Sequence, residues 1–197
     1  VWVRPRTSEQ SEMEYQMRNW YYFNWLCGDH INEQHIHNLD VINWLKDSYP
    51  VSAEGMGGRQ VRVGQEFGEI FDHHFVEYTY ADGSRMYSQC RHIRNVNNRV
   101  TEIAQGSTGS CDFARGIIRG KKNYMTRAKR GGHQQEWYDF IGAIDKGEIP
   151  NEAEYGAKST LTAIMGRMAT YSGKTISWDK AMKSSLDLTP SKFSWDA

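Results

Sequence analysis

No apolar run in this chain approaches the length that a membrane span requires. Neither charge is in excess: 24 Lys and Arg balance 24 Asp and Glu, for a formal net charge of +0. A chain without net charge lacks the electrostatic footprint of a nucleic-acid binder. The one basic run, Arg115 to Arg130, reads as a solvated turn and strand edge. Cysteine is scarce, and Cys27, Cys90 and Cys111 lack the C-x-x-C spacing of a metal site. They read as reduced core or near-surface residues. A phosphate-cradling G-x-G-x-x-G turn is missing as well. Its nearest imitation, Gly55-Met56-Gly57-Gly58, lies in a strand-like run and reads as turn or bulge chemistry. No internal repeat, low-complexity segment or linker divides the sequence. With 197 residues, 39% of them hydrophobic, it is long enough for one substantial core and short for two. A single domain over residues 1–197 is expected. The opening Trp-Val-Arg-Pro-Arg reads as mid-protein, so the chain is taken as a C-terminal piece.

Titratable groups concentrate in one place, the stretch GDHINEQHIHNLDVINW that begins at Gly28. On a continuous helix of 3.6 residues per turn, His30, Glu33, His37, Asp40 and Trp44 gather on one side, and His35 points the other way. Buried charges need partners, so such a row is an unusual choice for a face that only packs. Three readings compete. One is a polar surface face. A second is a metal site built from His30, Glu33 and His37, or from the His35/His37 pair; the spacing matches neither H-E-x-x-H nor H-x-x-E-H, and no metal is expected. The third is acid/base chemistry, with His37 moving a proton near neutral pH and Glu33, one turn earlier, orienting or polarising it.

Around this segment the pattern runs helix, sheet, helix. Ser11 to Tyr22 suits a short helix or lead-in. The site helix is expected from about Asp29 to Lys46, stopped before Pro50. From Val51 to about Arg127, strand-like runs alternate with glycine-bearing turns, among them Ala81-Asp82-Gly83-Ser84, as an antiparallel meander requires. In FDHHFVEYTY the alternate residues Val76, Tyr78 and Tyr80 are expected on one sheet face. Gln134 to Lys146 carries Trp137, Phe140, Ile141 and Ile144 at helical spacing, with Gly147 near the C-cap. Glu152 to Tyr171 follows, with Ala157, Leu161, Ile164, Met165 and Met168 as its expected core stripe, and Asp179 to Ser184 suits a short last helix. The fold class is α+β: an open, mainly antiparallel sheet with helices packed on one face.

The site segment resembles the signature of the Gfo/Idh/MocA oxidoreductases, whose second domain carries D-x-G-x-H-x-x-D-x-x-x-W. Here the frame reads E-Q-H-I-H-N-L-D-V-I-N-W. His37 falls on the catalytic histidine, Asp40 on the following Asp and Trp44 on the Trp, while Glu33 replaces the Asp and His35 the Gly. Upstream, Met17-Arg18-Asn19-Trp20 is similar to the family's approach to the motif, with Tyr21 about where many members have Arg. HQQEWYDFIGAIDKGEIPNEAEYGAKSTLTAIMGRMATYSGK resembles the closing helices. The chain looks most like a bacterial dehydrogenase subgroup carrying G-D-H-x-x-E-Q-H-x-H-N-L-D.

What the resemblance implies is the C-terminal substrate-binding and oligomerisation domain of an NAD(P)-dependent dehydrogenase acting on a sugar or polyol. The cofactor, NAD or NADP, is implied on an N-terminal Rossmann domain absent from this sequence, so no cofactor residue is expected here. His37 and Glu33 are the implied catalytic pair. Asp29, His30, Asn38 and Asp40 are polar enough to hydrogen-bond substrate hydroxyls, and Trp20 and Tyr21 suit either stacking on a sugar face or core packing. The free sheet face is implied to meet a second copy. Two alternatives stay open: an NAD-dependent glycoside hydrolase of the same family, and a non-catalytic carbohydrate-binding or assembly domain. Exported relatives leave both cytoplasm and periplasm open.

Overall fold

The computed structural model describes residues 2–127 and 131–195. Its contacts form two compact units: Val1–Val96 with Lys158–Ala197, and Asn97–Ala157. The end of the basic run, residues 128–130, lies outside the described residues.

In the first unit, α1 (Glu12–Arg18) starts at Ser11 in a capping box: the Ser11 hydroxyl accepts from the Glu14 N–H, and the Glu14 carboxylate accepts from the Ser11 N–H. A 3-10 turn over Trp20–Tyr22 leads into α2 (Asn24–Cys27), α3 (His30–Glu33) and α4 (Ile36–Lys46). The expected single helix over residues 29–46 is therefore two. The ladder slips at the junction, where the His35 N–H bonds the His30 carbonyl five residues back, and the His35 carbonyl then opens α4 by accepting from Asn38 and Leu39. A tertiary bond accompanies the break: His35 Nε2 lies 2.7 Å from Ser88 Oγ on the sheet.

That sheet is antiparallel, with β3 (Arg85–Arg91), β2 (His73–Thr79), β1 (Ser52–Gly58) and β8 (Ile176–Ser177) in spatial order. The β2–β3 hairpin turns at the expected tetrapeptide, where Gly83 takes φ +81°. Val76, Tyr78 and Tyr80 share the core side, as the alternation predicts, and none is more than 2% exposed. His74 sits between Gly57 and Cys90, Val76 between Gly55 and Ser88, and Tyr78 between Ala53 and Met86. The Gly55–Gly58 run is thus neither turn nor bulge, because β1 pairs with β2 in unbroken register. Its glycines answer a close approach instead: a Cβ on Gly55 would lie 2.4 Å from the Phe75 carbonyl oxygen, and one on Gly57 2.7 Å from that of His73.

Over this face lie α3, α4, α6 (Ala153–Ser172) and α7 (Trp178–Met182), sharing one core of Ile31, Leu39, Val76, Tyr78, Ala163, Met165, Ala169 and their neighbours. The deepest positions of α6 are small, namely Ser159, Thr162, Ala163, Gly166, Ala169 and Thr170, with Met165 the exception. Leu161, Ile164 and Met168 are half-buried and Ala157 is exposed. The expected large-residue stripe gives way to a small one because the tyrosine and histidine rings of β2 fill the space between helix and sheet.

The second unit carries an antiparallel meander, β4 (Ile103–Gly106), β5 (Gly109–Asp112), β6 (Ile117–Arg119) and β7 (Tyr124–Met125), and the helix α5 (Gly132–Asp145). Gly147, at φ +75°, follows the α5 C-cap as predicted. Trp137, Phe140, Ile141 and Ile144 remain exposed on α5. The α+β class with antiparallel pairing and helices on one sheet face is as expected, in two four-stranded sheets rather than one. No described helix is long and apolar enough to cross a membrane.

Candidate functional site

The break between α3 and α4 redistributes the predicted row. His37, Asp40 and Trp44 stay together on α4, where His37 is exposed and Trp44 is 70% exposed. Asp40 is half-buried and accepts a hydrogen bond from the Ser159 hydroxyl, which ties α4 to α6. Asn38 is half-buried beside the His35 ring. Glu33 ends α3; its Oε2 is buried without a hydrogen-bond partner, and among the described residues no hydrogen bond or ion pair joins it to His37. The two residues that helical spacing pairs thus lie on different helices, α3 and α4. His35 is not turned out to solvent but held against Ser88, and burial pushes its imidazole down to about 4.

Asp29, His30 and Tyr21 lie in the interior, at 0%, 1% and 2% exposure, so contact with a substrate hydroxyl or sugar face is not what their position offers. Tyr21 instead stacks on His92, and Trp20, half-buried, packs edge-on against Tyr21 and Trp2. Asp29 follows Gly28, and both have positive φ (72° and 74°). For a residue with a side chain, φ 74° and ψ 163° is a region that glycine alone takes readily. Neighbours on every side fix it there. Its Oδ1 accepts from the His30 N–H at 2.5 Å; its Oδ2 accepts from the Phe71 N–H at 2.9 Å and the Tyr171 hydroxyl at 2.7 Å. Burial raises the Asp29 carboxyl, but contacts with His30 and His74 outweigh it and hold the group well below the usual carboxylate range.

Three imidazoles crowd this carboxylate. His74 Nε2 is 3.2 Å from Asp29 Oδ2, the His30 and His74 ring centroids are 4.8 Å apart, and His92 stacks on His30 at 4.6 Å. Burial lowers His74, and it drives His92 down to about 3. Next to them, buried Asp72 accepts three consecutive backbone N–H groups, from Gln60, Val61 and Arg62, at 2.7 to 2.9 Å, and contacts His73 Nδ1 at 2.7 Å. Burial alone would raise its carboxyl, yet these donors hold it at about 2. Sequence reasoning missed His74, Asp72, His92 and Tyr171. For His74 a signal existed: the alternation that buries Val76 and Tyr78 puts His74 on the same face.

Cys27, next to this cluster, donates its thiol to the Tyr21 carbonyl at 3.0 Å, and burial pushes it up to about 12. It is a structural thiol, as expected.

No protein-family model matches the chain, and no curated protein matches it. Solved structures do. A myo-inositol 2-dehydrogenase from Lactobacillus plantarum superimposes with TM-score 0.61 at 18% identity over 82% of this chain and 52% of its own. A levoglucosan dehydrogenase in complex with NADH and levoglucosan gives TM-score 0.63 at 15% identity, over 80% of this chain and 53% of its own. An aldose-aldose oxidoreductase from Caulobacter crescentus, complexed with glycerol, gives 0.63 at 17%, over 80% and 50%. At these identities the likeness is one of fold, and the chain spans about half the length of the structures it matches. That fold is an α+β domain of the kind found in Gfo/Idh/MocA-type oxidoreductases.

Proposed function

We propose that this chain is the substrate-binding and oligomerisation domain of an NAD(P)-dependent Gfo/Idh/MocA oxidoreductase that acts on a sugar or polyol hydroxyl. The observation that supports it most is the exposed place of His37 on α4, in a domain whose fold is shared with dehydrogenases of inositol and levoglucosan. An exposed imidazole is a suitable acceptor for a hydroxyl proton. Asn38 follows it on α4, and Glu33 ends α3 with its Oε2 buried. Trp44 and Asp40 line the same side of α4.

Gly55–Gly58 is a paired strand whose backbone groups are engaged with β2, not a phosphate loop. The cofactor, which supplies the hydride acceptor when bound, is therefore assigned to a Rossmann domain outside this sequence, docked so that His37 faces it. The outer sheet face, with Met56, Phe75 and Tyr87 at 70%, 40% and 61% exposure, is assigned to contact with a second copy.

In the intact protein, His37→Ala is expected to lower kcat on the oxidised sugar by about 100-fold, the usual contribution of a positioned general base. Circular dichroism and melting temperature should be unchanged, because the side chain is exposed. Undiminished turnover would remove His37 from the chemistry and with it this reading.

A further inference from the structure

The Asp29 cluster is built in a way that proton transfer at His37 does not use. We propose that Asp29, His30 and His74 hold one divalent transition-metal ion of zinc type in the interior of the first unit. The three residues each offer a ligand atom, and these atoms all lie within 4.8 Å of one another. Ligands around a tetrahedral ion at about 2.0 to 2.2 Å are about 3.3 to 3.6 Å apart, so side-chain movement on the order of an ångström completes the set.

Hydrogen-bond accounting carries the argument. His30 Nδ1 lies 3.1 Å from the Phe71 carbonyl oxygen, which can only accept, so Nδ1 bears the proton. His74 Nδ1 lies 3.0 Å from Thr170 Oγ1, and the Thr170 hydroxyl donates its one proton to the Arg167 carbonyl at 3.0 Å. Nδ1 of His74 is therefore the donor as well. Both neutral rings then present a bare Nε2 lone pair, and both Nε2 atoms are buried without a hydrogen-bond partner. The one on His74 lies 3.2 Å from Asp29 Oδ2 outside hydrogen-bonding geometry, so lone pair faces carboxylate. A cation converts two unsatisfied acceptors and a buried negative charge into ligands. A backbone carbonyl and a hydroxyl taking the Nδ1 protons is the outer arrangement that orients metal-bound imidazoles.

All three residues are at most 2% exposed, so the ion is enclosed by the core, and the three protein ligands leave its fourth position to be filled. It would pin the start of α3 to β2, with Tyr171 of α6 bonded to the carboxylate. This departs from the metal-free expectation, since the third ligand comes from a strand far along the chain. It is independent of the oxidoreductase reading, because it concerns how the domain is held together.

The full chain, refolded with zinc(II) and dialysed against metal-free buffer, is expected to retain about one zinc per chain. Refolding without metal should lower its melting temperature, and added zinc(II) should restore it. Cobalt(II) should give tetrahedral visible bands without a thiolate charge-transfer band. No stoichiometric zinc and no metal-dependent melting would overturn the proposal, as would a thiolate band, which would move the ion to a cysteine. Because His74→Gln is liable to misfold, nitrogen-15 NMR of the metal-free chain gives a second reading. Both rings are expected as Nδ1–H tautomers. A doubly protonated or Nε2–H His74 would mean that Asp29 is satisfied by a simple ion pair or hydrogen bond.

Discussion

Gly166 in α6 separates helix propensity from packing by the sign of one substitution. A Cβ at this position would lie 2.0 Å from the Tyr78 hydroxyl oxygen, 2.9 Å from Ile31 Cδ1 and 3.1 Å from Tyr78 Cζ. Both neighbours are fully buried, and Tyr78 is clamped between Ala53 and Met86 on the flanking strands. Propensity alone favours Ala over Gly by about 0.8 to 1 kcal/mol in a helix interior. Overpacking a filled core costs typically about 1 to 3 kcal/mol, and an oxygen more than an ångström inside contact distance puts this case at the upper end. Gly166→Ala is expected to lose about 2 kcal/mol net, or about 4 to 8 °C in melting temperature for a chain of this size. Gly156, in the first turn of the same helix, would meet nothing within 4 Å. There, Gly156→Ala should gain about 0.5 to 1 kcal/mol. The Tyr78 hydroxyl is buried without a partner, so Tyr78→Phe should cost little alone and recover much of the Gly166→Ala loss. Urea and thermal unfolding of the four chains of that double-mutant cycle would measure the coupling, about 1 to 2 kcal/mol. If Gly166→Ala stabilised as Gly156→Ala does, or if Tyr78→Phe gave no recovery, the account of α6 packing on β2 would be wrong.

Two further outcomes are expected. His35 is lowered by burial to about 4 in the folded chain, against about 6.5 in the unfolded one. Above about pH 6.5 both states are neutral there and stability is fully present; as pH falls, the unfolded chain takes a proton the folded one refuses, so stability drops until about pH 4, by about 3 kcal/mol at most. Urea midpoints of His35→Gln and the parent across that range should show a shallower pH slope in the variant, and equal slopes would discard the assignment. Cys27, raised to about 12 by burial, should alkylate with iodoacetamide at pH 8 far more slowly in the native chain than in urea, whereas rapid native labelling would contradict its buried hydrogen bond to Tyr21.

Local patterns made most of the fold legible. Period-two alternation placed Val76 and Tyr78 on the core face, the Asp-Gly tetrapeptide marked the β2–β3 hairpin, and Gly147 marked the end of α5. Each is decided within a few residues by turn geometry or strand period. The Gly55–Gly58 run is not legible as a paired strand, for a non-local reason. Its glycines are required by the approach of the β2 backbone from another part of the chain, which composition alone cannot distinguish from a turn. Ala157 was misplaced similarly: the inward side of α6 is defined by the rings of β2, so small residues are deepest.

The candidate site divides along the same line. Helical spacing correctly keeps His37, Asp40 and Trp44 together, because all three lie within α4. It fails across residues 34–35, where a hydrogen bond between the His35 ring and Ser88 on β3 accompanies a slipped ladder. One bond of that kind is enough to override a four-residue helix, whose propagation cannot repay a broken turn. The break gives the GDHINEQHIH segment two destinations. Asp29 and His30 turn inward to meet His74 and Tyr171, whereas His37 turns out to where a ligand can reach it. A row that looks like one site in the sequence thus supplies an interior cluster that fixes the helices on the sheet and an exposed imidazole available for chemistry. The separation also explains why Gly28 and Asp29 carry positive φ: the chain must reverse there for the carboxylate to enter the core while α4 stays at the surface.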